Sequence, residues 1–304
     1  MSFSTDVKAE LCRVPASRHC CAVAELYGIF LYAGVFRALE IRIITGSEEF
    51  FSRIPLLLET ALPNDFDLSK LSRKKGRKYS LEITEGGLIA KIFNEFGYDA
   101  GSTLSHHINL AKLEEDCCRK SFLRGALLSG GSVTNPEQRY HMELVTAHRS
   151  VSREMFSILL EMGFAPRDIE RKGNFIIYFK QSEAISDFLI TIGAPISAMA
   201  IMSAKVEKDM RNSINRKVNC DNANADKIVE AAQNQLEIIR RIDKIKGLSS
   251  LPEKLQDTAY LRIANPEASL SDLAALASPP VSKSAMSHRM RKLLSHDGQL
   301  RINN

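Results

Sequence analysis

The residues best placed to do chemistry lie near the C-terminal end of the sequence. Residues 283–292 (KSAMSHRMRK) hold four Lys or Arg side chains and no acid. Read as a helix, Met286, Met290, Leu293 and Leu294 share one face, which must be the buried one. The opposite face then carries Ser284, His288, Arg291 and Lys292, with Ser287 and Arg289 at its flanks and Lys283 in the first turn. Arg and Lys on such a face bind phosphate oxygens and guanine edges, while Ser and His add smaller polar contacts. The chemistry implied is recognition of double-stranded DNA. No carboxylate or thiol shares the face of His288, so this histidine reads as a contact residue and not a catalyst.

The elements around this face have the order of a helix-turn-helix. Residues 269–277 (SLSDLAALA) and 282–294 (SKSAMSHRMRKLL) read as two short helices around a Ser278-Pro279-Pro280-Val281 break. Ser269 followed three residues later by Asp272 is an N-terminal capping signal. A further helix over 251–264 ends at Asn265-Pro266. A protein-binding three-helix unit with a basic face has the same outline; the segregation of charge onto one face favours DNA.

The rest of the composition sets looser bounds. A chain of 304 residues has room for two or three domains with cores of their own, and 44% apolar with 25% charged residues is ordinary for a soluble globular protein. The net charge of +5 permits a nucleic-acid partner without requiring one. The longest apolar stretch, 22–36, contains Glu25 and falls short of the roughly 20 residues that span a bilayer. The first residues, MSFSTDVKAELCRV, carry acids early and lack an apolar run, so they are no secretory signal. The expectation is a cytoplasmic protein with no membrane partner and no small-molecule substrate. Cysteines stand at Cys12, Cys20-Cys21, Cys117-Cys118 and Cys220. Adjacent pairs lack the CxxC spacing of structural zinc knuckles, and His19, His106 and His107 do not complete a ligand pattern, so free thiols, no metal and no cofactor are expected.

The first two thirds of the chain hold an internal duplication. Residues 21–34 (CAVAELYGIFLYAG) read as a helix, followed by a strand at 38–45, a helix at 48–61, a strand at 78–84 and a helix at 86–96. The order repeats as a helix at 119–131 (RKSFLRGALLSGG), a strand at 140–147, a helix at 151–163, a strand at 174–180 and a helix at 182–192. Alternation at Leu81 and Ile83, and at Met142 and Leu144, fits half-buried antiparallel strands. Gly28 and Gly125 sit inside the first helix of each repeat, where glycine costs about 0.5–1 kcal/mol relative to alanine. Such residues let two helix backbones approach closely. Residues 104–115 join the repeats, and His106 and His107 there read as surface or hydrogen-bonding groups.

At those two helices the chain resembles the LAGLIDADG homing-endonuclease scaffold, in the windows LYGIFLYAG (26–34) and LRGALLSGG (123–131). The resemblance implies two helices packed at a pseudo-dyad, each delivering an acid next to the final glycine to hold catalytic divalent metal, with the strands forming a saddle over DNA. Here the aligned positions are Ala33 and Gly130. Metal-dependent phosphodiester cleavage needs anionic oxygen ligands, so the expectation is a nuclease scaffold that does not cut.

Two polar stretches are further candidates. Residues 70–78 (KLSRKKGRK) hold six basic residues of nine, and Arg73, Lys74, Lys75, Arg77 and Lys78 are candidate phosphate contacts, against the alternative of a solvated hairpin approach. In residues 211–224 (RNSINRKVNCDNAN), Asn212, Asn215, Asn219 and Asn222 would form a polar stripe on a helix, with Arg216 beside it and Met210, Ile214 and Val218 on another face. The stripe is either a specific polar contact surface or part of a loosely helical linker. Residues 226–246 read as one long helix with an apolar seam at Ile228, Ala231, Ile238, Ile242 and Ile245, interrupted by Gln235 and stopped by Gly247.

Over nearly its whole length the sequence resembles the WhiA family of Gram-positive bacterial regulators, through FLRGALLSGGSVTNPEQRYHMEL (122–144), RNSINRKVNCDNAN and PPVSKSAMSHRMRKL (279–293). That resemblance implies an α+β fold: a duplicated LAGLIDADG-like αββαββα pseudo-dimer, catalytically dead, followed by an all-α helix-turn-helix domain similar to the promoter-reading module of sigma factors. The expected domains are repeat 1 over 1–97, linker and repeat 2 over 98–202, a polar helical linker over 203–247 and the helix-turn-helix over 248–304. The implied function is non-enzymatic, sequence-specific DNA binding tied to sporulation-related transcription, cell division or chromosome segregation, with a nucleoid location and a protein partner. The competing classes are a metal-dependent endonuclease of the LAGLIDADG type and a protein-interaction adaptor.

Overall fold

A computed structural model describes residues 2–62, 72–75, 78–98 and 106–302. They divide into two compact units, Met1–Lys208 and Asp209–Asn304. After an N-terminal helix α1 (Phe3–Leu11), the first repeat runs α2 (His19–Leu31), β1 (Val35–Arg37), β2 (Glu40–Thr45), α3 (Glu48–Ala61), β3 (Ser72–Lys75), β4 (Lys78–Ile83) and α4 (Gly86–Glu95). The second runs α5 (Asp116–Gly130), β5 (Gly131–Val133), β6 (Met142–Thr146), α6 (Arg149–Glu161), β7 (Arg167–Arg171), β8 (Asn174–Phe179) and α7 (Ser182–Ile192). Each repeat is αββαββα, and the fold class is α+β as its sequence implies.

Each repeat builds one antiparallel sheet, ordered β1-β2-β4-β3 and β5-β6-β8-β7. Registers Ile43↔Leu81 and Ile41↔Ile83 in one, and Leu144↔Ile177 and Met142↔Phe179 in the other, put the alternating apolar residues on the buried faces. The sequence reading found the inner strands and missed β1, β3, β5 and β7. These outer strands run three to five residues, and β7 is exposed at every position, so no period-two apolar signal marks them.

The two repeats meet through α2 and α5. From Ala22 to Leu31 every residue of α2 is buried, so the helix is apolar all round because it is covered all round. Its one charge, Glu25, has no exposed surface and bonds Arg53 through both oxygens, at 2.5 and 2.8 Å, and Arg124 Nε at 3.0 Å. Arg53 also donates to the Cys12 carbonyl, and Arg124 to the Ile192 carbonyl and Ser121 Oγ. One buried carboxylate thereby ties α2, α3, α5 and the ends of α1 and α7. The helices touch backbone to backbone: a Cβ on Gly28 would lie 2.2 Å from the Phe122 carbonyl oxygen, and one on Gly125 would lie 2.1 Å from that of Glu25.

Of the two roles expected of it, surface or hydrogen-bonding, His106 takes the second, with a hydrogen bond to the Phe36 backbone. It is half-buried, stacked on Phe36 with ring centroids 5.0 Å apart and set edge-on to His148 at 4.5 Å. His107 does bond a carboxylate, Glu154, at 2.9 Å. Residues 104 and 105 of the connecting segment lie outside the described residues.

A 52-residue helix, α8 (Pro195–Lys246), begins in the first unit and ends in the second. Proline at its first position suits a helix start, and Gly247, at φ 75°, terminates it. The expected boundary between 202 and 203 falls inside this helix. Over 226–246 its buried seam is Ala232, Gln235, Leu236, Ile239 and Ile242; of the seam read in the sequence, Ile242 is buried and Ile238 packs against the core, while Ile228, Ala231 and Ile245 are exposed. Gln235 therefore lies on the seam and does not merely interrupt it. In the second unit, α9 (Glu253–Ala264), α10 (Leu270–Leu276) and α11 (Lys283–Ile302) pack around Leu255, Ala259, Leu273, Met286, Met290 and Leu293 together with Ile239 and Ile242.

Candidate nucleic-acid interface

The start of α10 and the turn from α10 to α11 are fixed by local bonds the sequence specifies. The Ser269 side chain accepts from the Asp272 backbone N–H, and Asp272 accepts from the Ser269 N–H, a complete capping box. The Val281 N–H returns to the Ala274 carbonyl, and Ser282 Oγ accepts from the Ala285 N–H at the start of α11. On the other side, Arg262 of α9 is 1% exposed and donates to the carbonyls of Asn265 and Ala268, holding the α9–α10 connection closed. Nothing in the sequence pattern marks Arg262 as a core residue, because an arginine at a helix end ordinarily faces water.

With Met286, Met290 and Leu293 buried, the orientation of α11 is set. Lys283, Ser284, His288, Arg291 and Lys292 are exposed together, and Ser287 and Arg289 are half-buried at the flanks. Arg289 borders a groove shared with Asp257, Tyr260 and Ser278. The helix continues to Ile302, eight residues beyond the expected end. The exposed face is cationic along about two turns, the length an α-helix can present to a major groove.

In the first unit, the basic run forms a hairpin. β3 is the edge strand, pairing Arg73 with Ser80, Lys74 with Tyr79 and Lys75 with Lys78. Lys78 is exposed; Arg77 lies outside the described residues. The matching edge strand of the second repeat, β7, reads RDIER and carries no net charge, so the basic edge belongs to one repeat alone. The asparagine stretch lies within the regular helix α8, and Asn212, Asn215, Arg216, Asn219 and Asn222 are all exposed. Met210, Ile214 and Val218 are exposed as well, so this stretch is free of packing on both faces.

At the glycine ends of α2 and α5, where a nuclease of this scaffold would hold its metal ligands, the α5 side is closed while Gly34 on the α2 side is exposed. Ala33 is half-buried. At Gly130 a Cβ would lie 2.6 Å from the Val145 carbonyl oxygen and 2.8 Å from Tyr32 Cδ1. Tyr32 is buried beside it, and burial raises its hydroxyl far above the usual phenol range. The opposite ends differ from the sequence reading. Cys20-Cys21 opens α2 and Cys117-Cys118 opens α5, and the sulfurs of Cys20, Cys117 and Cys118 lie within 4.8 Å of one another. It is the only grouping of three or more His, Cys, Asp or Glu ligand atoms in metal-binding range among the described residues. Judging each adjacent pair alone missed it, because the pairs combine only when the repeats pack. Burial pushes the Cys118 thiol up to about 12, while a hydrogen bond with Cys21 and the charge of Arg18 hold Cys117 below its ordinary value.

Among the described residues no helix is long and apolar enough to cross a membrane. Residues 119–211 match the family model for a WhiA LAGLIDADG-like domain, and residues 214–296 match that for a WhiA C-terminal HTH domain. A probable cell division protein WhiA from Ruminiclostridium cellulolyticum is 38% identical over 312 residues, covering 100% of this chain and 99% of the relative. A protein of the same description from Heliobacterium modesticaldum is 36% identical, covering 97% of this chain and 95% of its own. Among solved structures, full-length DUF199/WhiA from Thermatoga maritima superposes with a TM-score of 0.59 at 24% identity, covering 98% of this chain and 99% of that one.

Proposed function

Because this chain belongs to the WhiA family, we propose that it acts as a non-enzymatic, sequence-specific DNA-binding regulator of transcription, cell division or chromosome segregation. The observation that carries this reading is the exposed cationic face of α11, with Lys283, Ser284, His288, Arg291 and Lys292 turned to solvent by the burial of Met286, Met290 and Leu293. Arg291 and Lys292 contact bases or phosphates in the major groove, and Ser287 and Arg289 support its margin. Arg73, Lys74, Lys75 and Lys78 on the basic hairpin, with Arg77, add sequence-independent phosphate contacts. Asn212, Asn215, Arg216, Asn219 and Asn222 offer a polar surface to DNA or to a protein partner. The division of labour follows the duplicated scaffold over 1–97 and 98–202, the helical linker over 203–247 and the reading domain over 248–304. The protein works on the nucleoid, in the cytoplasm.

The scaffold supplies shape without chemistry. Carboxylates are missing from both aligned positions, and the Gly130 position has no room for one. The decisive experiment combines genome-wide chromatin precipitation of the wild-type chain with gel-shift titration of the enriched fragments against scrambled DNA. Enrichment at discrete sites that bind at least about 1000-fold more tightly than scrambled sequence supports the reading. Nicking of supercoiled plasmid in Mg²⁺ or Mn²⁺ overturns it in favour of an endonuclease. Unchanged chromosomal binding by the Arg291→Ala, Lys292→Ala double variant overturns it in favour of an adaptor.

A further inference from the structure

Four of the six cysteines come from two vicinal pairs that the sequence keeps almost a hundred residues apart. Cys20 and Cys117, Cys21 and Cys118, Gly28 and Gly125, and Ala33 and Gly130 are each separated by 97 residues. The cysteines are thus equivalent positions of the two repeats, and the pseudo-dyad that brings Gly28 against α5 and Gly125 against α2 also brings the thiols together. Cys20 and Cys21 sulfurs are 3.9 Å apart, those of Cys117 and Cys118 are 4.0 Å apart, and hydrogen-bond contacts link Cys21 to Cys117 and Cys118 to Cys20. A tetrahedral thiolate site with metal–sulfur bonds of about 2.3 Å has sulfurs about 3.8 Å apart. Both vicinal separations already match that edge; Cys20, Cys117 and Cys118, within 4.8 Å of one another, close on it with a movement of at most about 1 Å, and Cys21 joins them through its contacts with Cys20 and Cys117.

Positive charge gathers around the sulfurs. All four cysteines stand in the first turns of α2 and α5, whose N-termini carry positive partial charge. The Arg18 guanidinium is 3.6 Å from the Cys117 sulfur. We propose that Cys20, Cys21, Cys117 and Cys118 form a tetrathiolate site for a thiophilic metal ion of the Zn²⁺ class, placed across the pseudo-dyad so that one ion clamps the two repeats. Binding releases the thiol protons to solvent, and the excess negative charge is offset by Arg18 and the two helix termini. Hard cations such as Mg²⁺ find no oxygen donor in this set. The site lies at the end of the helix pair opposite Ala33 and Gly130, so it is unrelated to the nuclease positions.

The test uses the full-length chain, reduced, stripped of metal and titrated with Co²⁺ and then Zn²⁺. The expected result is one equivalent of Co²⁺ with the intense visible bands of a tetrahedral thiolate complex, displaced by Zn²⁺, with four of the six thiols protected from an electrophilic thiol reagent. Cys20→Ser and Cys117→Ser, at the more accessible positions, should each weaken Zn²⁺ binding by at least about 100-fold, while Cys12→Ser and Cys220→Ser leave it unchanged. Melting of each variant in chelator separates loss of a ligand from loss of the fold. Failure to bind one equivalent, binding that survives Cys20→Ser and Cys117→Ser, equal reactivity of all six thiols with and without Zn²⁺, or a disulfide joining α2 to α5 in reducing buffer each overturns the assignment.

Discussion

The sharpest perturbation of the closed scaffold is Gly130→Asp, which returns a carboxylate to one of the two positions where the LAGLIDADG scaffold would hold metal. Its Cβ would lie 2.6 Å from the Val145 carbonyl oxygen and 2.8 Å from Tyr32 Cδ1. Ordinary carbon–oxygen contact begins at about 3.3 Å, so α5 and the sheet must part by roughly 0.7 Å. Overpacking of that kind costs about 1–3 kcal/mol. The carboxylate also faces a carbonyl oxygen, with the buried Tyr32 ring beside it, which adds about 1–3 kcal/mol or more. For a unit of roughly 200 residues, about 4 kcal/mol lowers Tm on the order of 10 °C. Thermal melts of Gly130→Ala, Gly130→Asp and Ala33→Asp separate the two contributions, since alanine carries the steric cost alone and Ala33 is half-buried with a Cβ already accommodated. The Ala33→Asp, Gly130→Asp double variant should not nick plasmid in Mg²⁺. A Tm for Gly130→Asp within about 2 °C of wild type, or nicking by the double variant, refutes the argument that backbone and Tyr32 have closed this end of the dyad.

Three further outcomes follow from the structure. Glu25→Gln leaves Arg53 and Arg124 buried without their shared countercharge and should cost about 3–5 kcal/mol in urea unfolding; a midpoint equal to wild type would show the triad to be dispensable. Arg291→Ala and Lys292→Ala should each weaken DNA binding, a lost phosphate contact reducing the slope of log K against log salt by about 0.9 and a lost base contact costing about 1–3 kcal/mol with relaxed specificity; gel shifts at several salt concentrations distinguish the two, and unchanged affinity and slope count against the α11 face. His106 and His148 both titrate below the ordinary histidine value, first because of burial and then because of neighbouring positive charge. The folded rings stay neutral while the unfolded chain takes up protons below about pH 6.5, so stability rises with pH through this window and is lost as pH falls through the folded-state values. His148→Gln should flatten that dependence in urea midpoints measured between pH 5 and 7, and an undiminished slope would assign it to other groups.

What the sequence disclosed depended on how local each constraint is. The capping box at Ser269 and Asp272 and the buried stripe of Met286, Met290 and Leu293 are set within a few residues of chain, and the exposed face of α11 follows from them. The inner strands announced themselves through alternation at Leu81, Ile83, Met142 and Leu144, while β3 and β7 at the sheet edges have no apolar side to announce. The interior glycines disclosed a close helix approach and the scaffold resemblance its partner; the contact proves to be reciprocal, Gly28 on the Phe122 carbonyl and Gly125 on the Glu25 carbonyl. Glu25 itself reads as an interruption of an apolar run, because its countercharges come from two other helices, 28 and 99 residues away. The α8 seam was read correctly at Ile242 and missed at Ile228, Ala231 and Ile245 for a related reason, since which of several neighbouring apolar residues is buried is decided by what packs against the helix.

The same logic explains why the two ends of the α2–α5 pair have opposite chemistry. A pseudo-dyad doubles whatever stands near it, so any residue type at one position confronts its own counterpart across the axis. Two carboxylates doubled in this way make a site for hard divalent cations, which is how the scaffold supports phosphodiester cleavage. Here the doubled positions at the C-terminal ends are alanine and glycine, which offer no carboxylate ligand, and the α5 side is sealed by the Val145 carbonyl and Tyr32. At the N-terminal ends the doubled residues are pairs of cysteines under two positive helix termini, a sulfur set that prefers soft metal ions over Mg²⁺. Duplication across the axis thus pairs sulfur in this chain, at the end of the helices opposite Ala33 and Gly130. At the dyad the glycines let the helices pack backbone to backbone, and the proposed thiolate site would join the same two repeats.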